Sequence, residues 1–386
     1  MYPVQIHPKI EKLISFFYRI GVWSGENEET GRGTILKIFY SLYFSLAVIS
    51  VISGAFLSDN KDETIFLTQI SINCTVLLVK LVYLIWRKSD ILELMHQVCT
   101  FYVDDREELT LVNDKLNNLL TFSVFVFGSV NFAEFSSVVI VPISAHNERQ
   151  LFFNIGFPLD YKNSDLAYWL ADLYLATGMI FVTIALFFSV IVWYLMANCG
   201  LRYKLLGQQI KYTGIKTVKG RSGDKRQTSD SLYRQDLKNA IAKHQTLEDL
   251  TTQLDSFLSK FFGVQFATSG FCICCSIFCI VFNRGLNWLE QIIQIVVLVY
   301  SIFDIFMITY FGNHILSESE RLSYYLFESE WVNQQLSTKK IVLLFAEFLN
   351  EPRQLVILKI YPLTLETFKR IMNSAYSMFN VLQNFK

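Results

Sequence analysis

Long apolar runs are the feature that most restricts what this chain can fold into. The hydrocarbon core of a bilayer is about 30 Å thick, and an α-helix needs about 20 apolar residues to cross it. Only a helix satisfies all its backbone hydrogen bonds within one such segment. The sequence therefore predicts six membrane-spanning helices, at about 34–56, 65–86, 120–143, 170–197, 261–282 and 289–311.

A seventh run, at about 361–385, is apolar but carries a polar stripe. Asn373, Ser377, Asn380 and Asn384 recur at steps of 4, 3 and 4, which places them on one face of an α-helix. A helix lying flat in the interface would carry Lys and Arg on that face. Between Arg370 and Lys386 the face has only amides and hydroxyls, so we expect a spanning helix whose stripe faces a water-filled path. The fold class is then all-α, with seven transmembrane helices.

The distribution of basic residues predicts the orientation of these helices. With the N-terminus in the cytoplasm, the inner segments carry 24 Lys and Arg and the outer segments five. This asymmetry follows the positive-inside rule. We therefore expect a cytoplasmic N-terminus and an extracellular C-terminus. The corresponding parts are a cytoplasmic segment 1–33, six spans within 34–311, a cytoplasmic segment 312–360 and the seventh span within 361–386.

The cytoplasmic segments contain their own helical patterns. In the loop 198–260, residues 216–231 are rich in Gly, Ser and charge, which predicts a flexible insert. Beyond it the apolar residues fall on one helix face, which predicts an amphipathic helix that continues the fifth span. Residues 312–336 extend the sixth span, and 338–349 form an apolar helix too short to cross a membrane. We expect these pieces to pack into an intracellular anchor bundle rather than to act as solvated linkers. The outer loop 144–169 could cap a cavity that faces outward.

Several function classes are disfavoured by the sequence. The net charge is zero, so a nucleic-acid partner has no electrostatic basis. The five histidines include no pair at metal-ligand spacing, and there is no nucleophile motif of the GxSxG type. We therefore expect no enzyme activity, no metal and no cofactor. Charged residues inside the spans are candidates for either a structural or a functional role, namely Lys80, Glu134 and Asp304, and Asp172 near the outer end of the fourth span, where an interfacial position is the alternative. We expect Lys80 to extend its ammonium toward the cytoplasm.

The C-terminal portion, about the last 70 residues, resembles a known family. LSYYLFESEW (322–331), LLFAEFLNEPRQLVILKIYPLTLETF (343–368) and AYSMFNVL (375–382) are similar to the corresponding segments of insect odorant receptors, which are odorant-gated ion channels. The resemblance implies a subunit of a non-selective cation channel in the plasma membrane of olfactory sensory neurons. Four subunits would surround a pore lined by the seventh helix. The fourth-to-fifth loop is short for the shared co-receptor, so the chain resembles a tuning subunit that assembles with that co-receptor.

The resemblance also indicates site residues. The gate falls on Val381 and a polar pore residue on Asn384, and Asn373, Ser377 and Asn380 share their helix face. A volatile, mostly apolar ligand would bind in the outer half of the membrane between spans two, three, four and six. The residues available there are Ile72, Asn73, Phe132, Phe135, Ser136, Val139, Tyr174, Gly178, Met179, Val182, Ile295, Val299 and Phe303. Ordinary helix packing is the alternative role for each of them.

Two other readings remain open at this point. A gustatory receptor would have the same architecture with different ligands, but such receptors often end in a Thr-Tyr…Gln-Phe pattern that Ala375-Tyr376 and Gln383-Asn384 do not match. A G-protein-coupled receptor also has seven spans, but its N-terminus is outside. The distribution of Lys and Arg opposes that orientation.

Overall fold

The computed structural model describes residues 2–25, 31–58, 61–144, 151–152, 154–214, 225–282 and 288–384. These residues form ten helices and two short antiparallel strand pairs. The helices are α1 (Pro8–Arg19), α2 (Gly31–Leu57), α3 (Lys61–Trp86), α4 (Lys88–Cys99), α5 (Arg106–Ser144), α6 (Asp165–Lys211), α7 (Lys225–Phe282), α8 (Trp288–Glu328), α9 (Leu336–Leu349) and α10 (Leu365–Asn384), with one 3₁₀ turn at Glu330–Asn333. The strands are β1 (Tyr2–Val4), which pairs with β2 (Phe101–Val103), and β3 (Val356–Ile357), which pairs with β4 (Tyr361–Pro362).

Within the described residues, six helices are long and apolar enough to cross a membrane. They are α2, α3, α5, α6, α7 and α8, which confirms the six predicted spans. Helix α10 is less apolar than these six helices, because its 20 residues include Glu366, Lys369 and Arg370 in addition to the polar stripe. Several of these helices continue beyond the predicted spans, since α7 is 58 residues long in total and α8 is 41 residues long.

The predicted start of the seventh span was wrong by four residues. Tyr361 and Pro362 lie in strand β4, and helix α10 begins at Leu365. Thr364 directly precedes the helix, and its side-chain oxygen accepts a hydrogen bond from the backbone N–H of Thr367 at 3.3 Å. This is the usual N-cap interaction, which satisfies one free backbone N–H at the start of a helix.

Helix α6 is the centre of the molecule. From Phe188 to Met196 every residue is buried, as expected for a helix that is apolar on all sides. Its closest neighbour is α8, and glycines allow the two helices to approach. A Cβ on Gly207 would lie 2.4 Å from the Tyr325 ring, and one on Gly200 would lie 2.3 Å from Nδ1 of His314. Larger residues at these two positions would force α6 and α8 apart.

The N-terminal segment is fastened to the end of the bundle that the basic residues predict to be cytoplasmic. Strand β1 pairs with β2, which joins α4 to α5. The backbone N–H of His7 donates to the Tyr194 hydroxyl of α6 at 3.0 Å, and Trp23 Nε1 donates to the Leu84 carbonyl at 2.8 Å. The first residues of the chain are therefore part of the core.

The helices beyond the predicted spans pack against one another. Leu247, Leu250, Leu254, Phe257 and Leu258 are buried along one face of α7, as their spacing predicted. Helix α9 contributes four buried apolar residues, and the Phe345 ring meets the His244 ring edge-on at 5.7 Å. Burial lowers the pKa of His244, so its neutral form is favoured. These contacts fit the predicted anchor bundle better than solvated linkers.

Part of the predicted flexible insert is helical. Residues 215–224 lie outside the described residues, but α7 already begins at Lys225. Asp230 in its second turn accepts hydrogen bonds from the Gln335 backbone N–H at 2.9 Å and the Thr338 hydroxyl at 3.2 Å. The contact with the start of α9 orders a segment whose composition alone favours disorder.

The described part of the outer loop closes one end of the bundle. Leu151, Phe152, Ile155 and Tyr161 are buried against α2, α3 and the start of α6. The backbone N–H of Gly156 donates to the Ser50 carbonyl at 2.9 Å. This segment therefore covers α2 and α3 at the end that the basic residues predict to be outside.

Candidate functional site

Helix α10 has one packed face and one exposed face. Thr367, Ile371 and Ala375 are buried, and the Phe379 ring stacks on Phe282 of α7 at 6.0 Å. The predicted pore residues lie elsewhere on the helix. Asn373, Ser377 and Val381 are exposed, Val381 to 55%, and Asn380 is half-buried. The side chain of Asn384 lies outside the described residues.

Contact between the exposed polar stripe and lipid would be unfavourable in free energy. An amide in hydrocarbon loses its hydrogen bonds to water, which costs several kcal/mol by transfer measurements. The chain itself offers Asn373 and Ser377 no cover, since both are exposed beside the half-buried Asn380. The stripe therefore needs water or another subunit against it.

Part of the predicted ligand pocket gathers on α6. Tyr174 contacts Tyr43 of α2 at 5.5 Å and Phe157 of the outer loop at 5.7 Å between ring centroids. Met179 is half-buried and Val182 buried on the same helix. Gly178 is also buried, yet a Cβ built there would have no atom within 4 Å. A small space therefore adjoins this group.

A second part lies against α8. The Phe303 ring meets Trp193 at 5.5 Å and Phe122 at 5.6 Å, and Phe127 stacks on Trp193 at 5.3 Å. The prediction did not include Trp193 or Phe127, since one more aromatic residue in an apolar run gives no signal of its own. Asn73 of α3 lines a separate small cavity that contains none of the other predicted residues.

Most of the remaining predicted residues are exposed on the single chain. Phe132 is 76% exposed, and Phe135, Ile295 and Val299 are exposed as well. Ile72 and Ser136 are half-buried, and the side chain of Val139 lies outside the described residues. The single chain therefore does not bring the predicted set together in one enclosed pocket.

The two charged residues Lys80 and Asp304 form a buried ion pair. Lys80 Nζ lies 2.5 Å from Asp304 Oδ2, and both side chains are 1% exposed. The expectation that Lys80 reaches toward the cytoplasm was wrong, because a buried carboxylate and the Ser189 hydroxyl at 3.0 Å hold its ammonium inside the bundle. Gln265 Nε2 and the Tyr300 hydroxyl also donate to Asp304 Oδ2, at 2.8 Å and 3.2 Å. The network joins α3, α6, α7 and α8.

The side chain of Glu134, the third charged candidate, lies outside the described residues.

Comparison with known proteins identifies the family. The family model described as 7tm Odorant receptor matches residues 60–376, which is most of the chain. The chain belongs to the odorant receptor family.

Individual relatives are distant in sequence and close in fold. Odorant receptor 2a of Drosophila melanogaster is 23% identical over 97% of both chains. Odorant receptor 10 of Aedes albopictus is 28% identical over 147 residues, and that match spans only 38% of the relative. The solved olfactory receptor OR5 of Machilis hrabei matches 98% of both chains with a TM-score of 0.82 at 15% identity, and a second structure of that protein is in complex with eugenol.

Family membership decides between the alternatives left open by the sequence. It confirms the resemblance in the C-terminal portion and identifies a seven-helix, multi-pass membrane protein. Odorant receptors are ligand-binding sensory receptors, so this odorant receptor is not an enzyme. Within the described residues, no group of three His, Cys, Asp or Glu side chains could hold a metal ion.

Proposed function

We propose that this odorant receptor is a tuning subunit of a ligand-gated, non-selective cation channel whose pore is lined by α10. The exposed face of α10 carries the proposal. Asn373, Ser377 and Asn380 lie along a helix whose opposite side packs on α7 and α8. Four such helices around an axis would turn the stripe toward water and remove it from lipid.

Val381 is the proposed gate. It lies about 40° from Ser377 around the helix axis at about 100° per residue, so it shares the face of the stripe. An apolar ring in a polar path can stop conduction by expelling water. The ring opens when the four α10 helices move apart.

The gate is tested by Val381→Ser in cells that also express the co-receptor. A hydroxyl at this position keeps the constriction wetted, so we expect the current without ligand to rise several-fold. Whole-cell recording measures this current together with the permeability ratio of Na⁺ to larger cations. Met378→Leu is the matched control, because Met378 is exposed on α10 but lies about 100° away from Ser377. Equal leak and equal permeability ratios in V381S and wild type would contradict the gate assignment.

The proposed ligand is a small volatile molecule, mostly apolar, that binds in the outer half of the membrane. The aromatic and aliphatic side chains around Tyr174, Val182 and Phe303 suit such a ligand, since small-molecule sites are mainly apolar with a few polar groups. The complex of the Machilis receptor with eugenol shows that this related protein binds a small aromatic molecule. A patch-clamp screen of volatile compounds on cells that express both subunits identifies the ligand. Currents that required a G protein would contradict direct gating.

Assembly is proposed to involve the exposed face of α9. Leu336, Leu343, Leu344 and Phe348 are exposed on this helix, whose other face is buried against α7 and α8. A row of large apolar residues of this kind is typical of a protein interface. We propose that these residues contact the neighbouring subunit of a tetramer that includes the co-receptor.

A further inference from the structure

The buried carboxylate of Asp304 is satisfied on one oxygen only. Oδ2 accepts from Lys80, Gln265 and Tyr300, at 2.5, 2.8 and 3.2 Å. Oδ1 is equally buried, yet it has no hydrogen-bond partner among the described residues. Buried polar atoms in folded proteins almost always have a partner in the protein or an ordered water. The environment of Oδ1 should therefore contain a donor that the chain does not supply.

Two more unpartnered atoms line the same cavity. Asn73 Nδ2 and Gln265 Oε1 are buried and make no hydrogen bond within the described part of the chain. Asn73, Gln265 and Asp304 all line a cavity of about 30 Å³ between α3, α7 and α8. The orientation of the Gln265 amide is fixed, because its Nε2 already donates to Asp304 Oδ2. The unpartnered atoms of these three lining residues are thus one donor and two acceptors.

We propose that this cavity is a binding site for a single water molecule. Water can donate to Asp304 Oδ1 and Gln265 Oε1 and accept from Asn73 Nδ2, which is the usual number of about three hydrogen bonds for a buried water. A volume of about 30 Å³ is enough for one water.

Other occupants fit the donor set less well. A metal cation or an ammonium group would add positive charge beside a carboxylate that Lys80 Nζ already neutralises at 2.5 Å. An alcohol has only one O–H group, so it cannot donate to both Asp304 Oδ1 and Gln265 Oε1. Its carbon atoms would also not fit in a cavity of about 30 Å³. The chemistry of the site therefore selects water.

The water would supply the missing hydrogen bond to Asp304 Oδ1, the carboxylate oxygen that Lys80 does not contact. It also joins α3 and α8 to α7, the helix that carries α10 on another face through Phe282 and Phe379. The water is an exchangeable link in the contact between these three helices.

A map of the full-length protein in lipid nanodiscs tests the site directly, at a resolution that shows ordered water. We expect a peak within hydrogen-bonding distance of Asp304 Oδ1, Gln265 Oε1 and Asn73 Nδ2, at about 2.7–3.2 Å. A cavity closed by side chains, or a protein donor on Oδ1, would overturn the proposal.

Three variants test the energetic role of the same water. Asn73→Leu places methyl groups where Nδ2 contacts the water, so we expect the apparent melting temperature of the full-length protein to fall by about 2 °C or more. Asn73→Ser keeps a donor and leaves room for water, so it should retain most of the stability. Thr268→Val is the matched control, because Thr268 lines the same cavity but donates to the Val264 carbonyl of its own helix at 2.9 Å. Two results would show that the water does not stabilise the protein. One is an equal loss of stability in N73S and N73L, and the other is a loss in N73L no larger than that in T268V.

Discussion

At the scale of single residues, the ion pair between Lys80 and Asp304 shows what hydropathy can and cannot predict. The sequence marked both residues as unusual because charges within spans are costly. It could not pair them, since they are 224 positions apart and their contact depends on how α3 and α8 cross. A lysine near the inner end of a predicted span was therefore expected to reach the interface.

Breaking the pair should destabilise the protein more than removing it. Lys80→Met leaves a buried carboxylate without its countercharge, so we expect a loss of about 3–5 kcal/mol in the free energy of unfolding. Asp304→Leu leaves a buried ammonium and should lose a similar amount. The double variant removes both charges and should recover most of the loss. Denaturation of the four proteins in one detergent forms a double-mutant cycle. Additive losses would show that the two charges do not interact.

At the scale of secondary-structure elements, the hairpin before α10 is the least regular part of the chain. Strands β3 and β4 are joined by Leu358, Lys359 and Ile360, and the first two of these residues have positive φ, at 53° and 58°. Two consecutive residues of this kind form the tight turn that fits the twist of a hairpin, where Gly or Asn is preferred. The hairpin is docked on α7, because Asp255 accepts from the Val356 N–H and Ser259 accepts from the Leu358 N–H, both at 2.8 Å.

A glycine in this turn should stabilise the protein. Lys359→Gly removes the steric cost of a Cβ in the left-handed conformation, so we expect a gain of about 0.5–1 kcal/mol. Glu351→Gly is the control, since Glu351 is exposed and has no positive φ. Thermal unfolding of both variants measures the difference. A lower melting temperature for K359G than for wild type would mean that the turn is not strained.

Helical periodicity predicts which residues of a helix share a face. The buried face of α7 and the exposed stripe of α10 both follow from the spacing of residues, since each is a local property of one helix. The strand at Tyr361–Pro362 was missed because two residues of β-structure leave no periodic signal.

At the scale of the whole molecule, the single chain exposes two surfaces that the proposed assembly would cover. These are the polar stripe of α10 and the apolar face of α9, where Leu344 and Phe348 are 65% and 74% exposed. The number and order of the spans could be predicted, because length and hydropathy determine them. The pocket could not be assembled from sequence, because residues such as Phe132 and Val299 meet a ligand or not according to the packing of helices and subunits.

Charged residues on the exposed face of α9 should prevent assembly without unfolding the chain. We expect Leu344→Glu combined with Phe348→Glu to reduce the tetramer fraction at least several-fold, because burying two carboxylates in an apolar interface is costly. Lys340→Glu is the control, since Lys340 is already exposed and polar on the same helix. Light scattering of the protein purified with its co-receptor measures the assembled fraction. A full tetramer from the double variant would exclude this face from the interface.

The attachment of the N-terminal segment determines when that segment can fold during synthesis. Strand β1 needs residues 101–103 as its partner, and His7 needs the Tyr194 hydroxyl, 187 residues later in the chain. Strand β1 can therefore pair only after two spanning helices have been made, and the His7 contact can form only after the fourth. Completion of α6 at Lys211 then allows His7 to dock, so the full attachment of this segment depends on the fourth spanning helix.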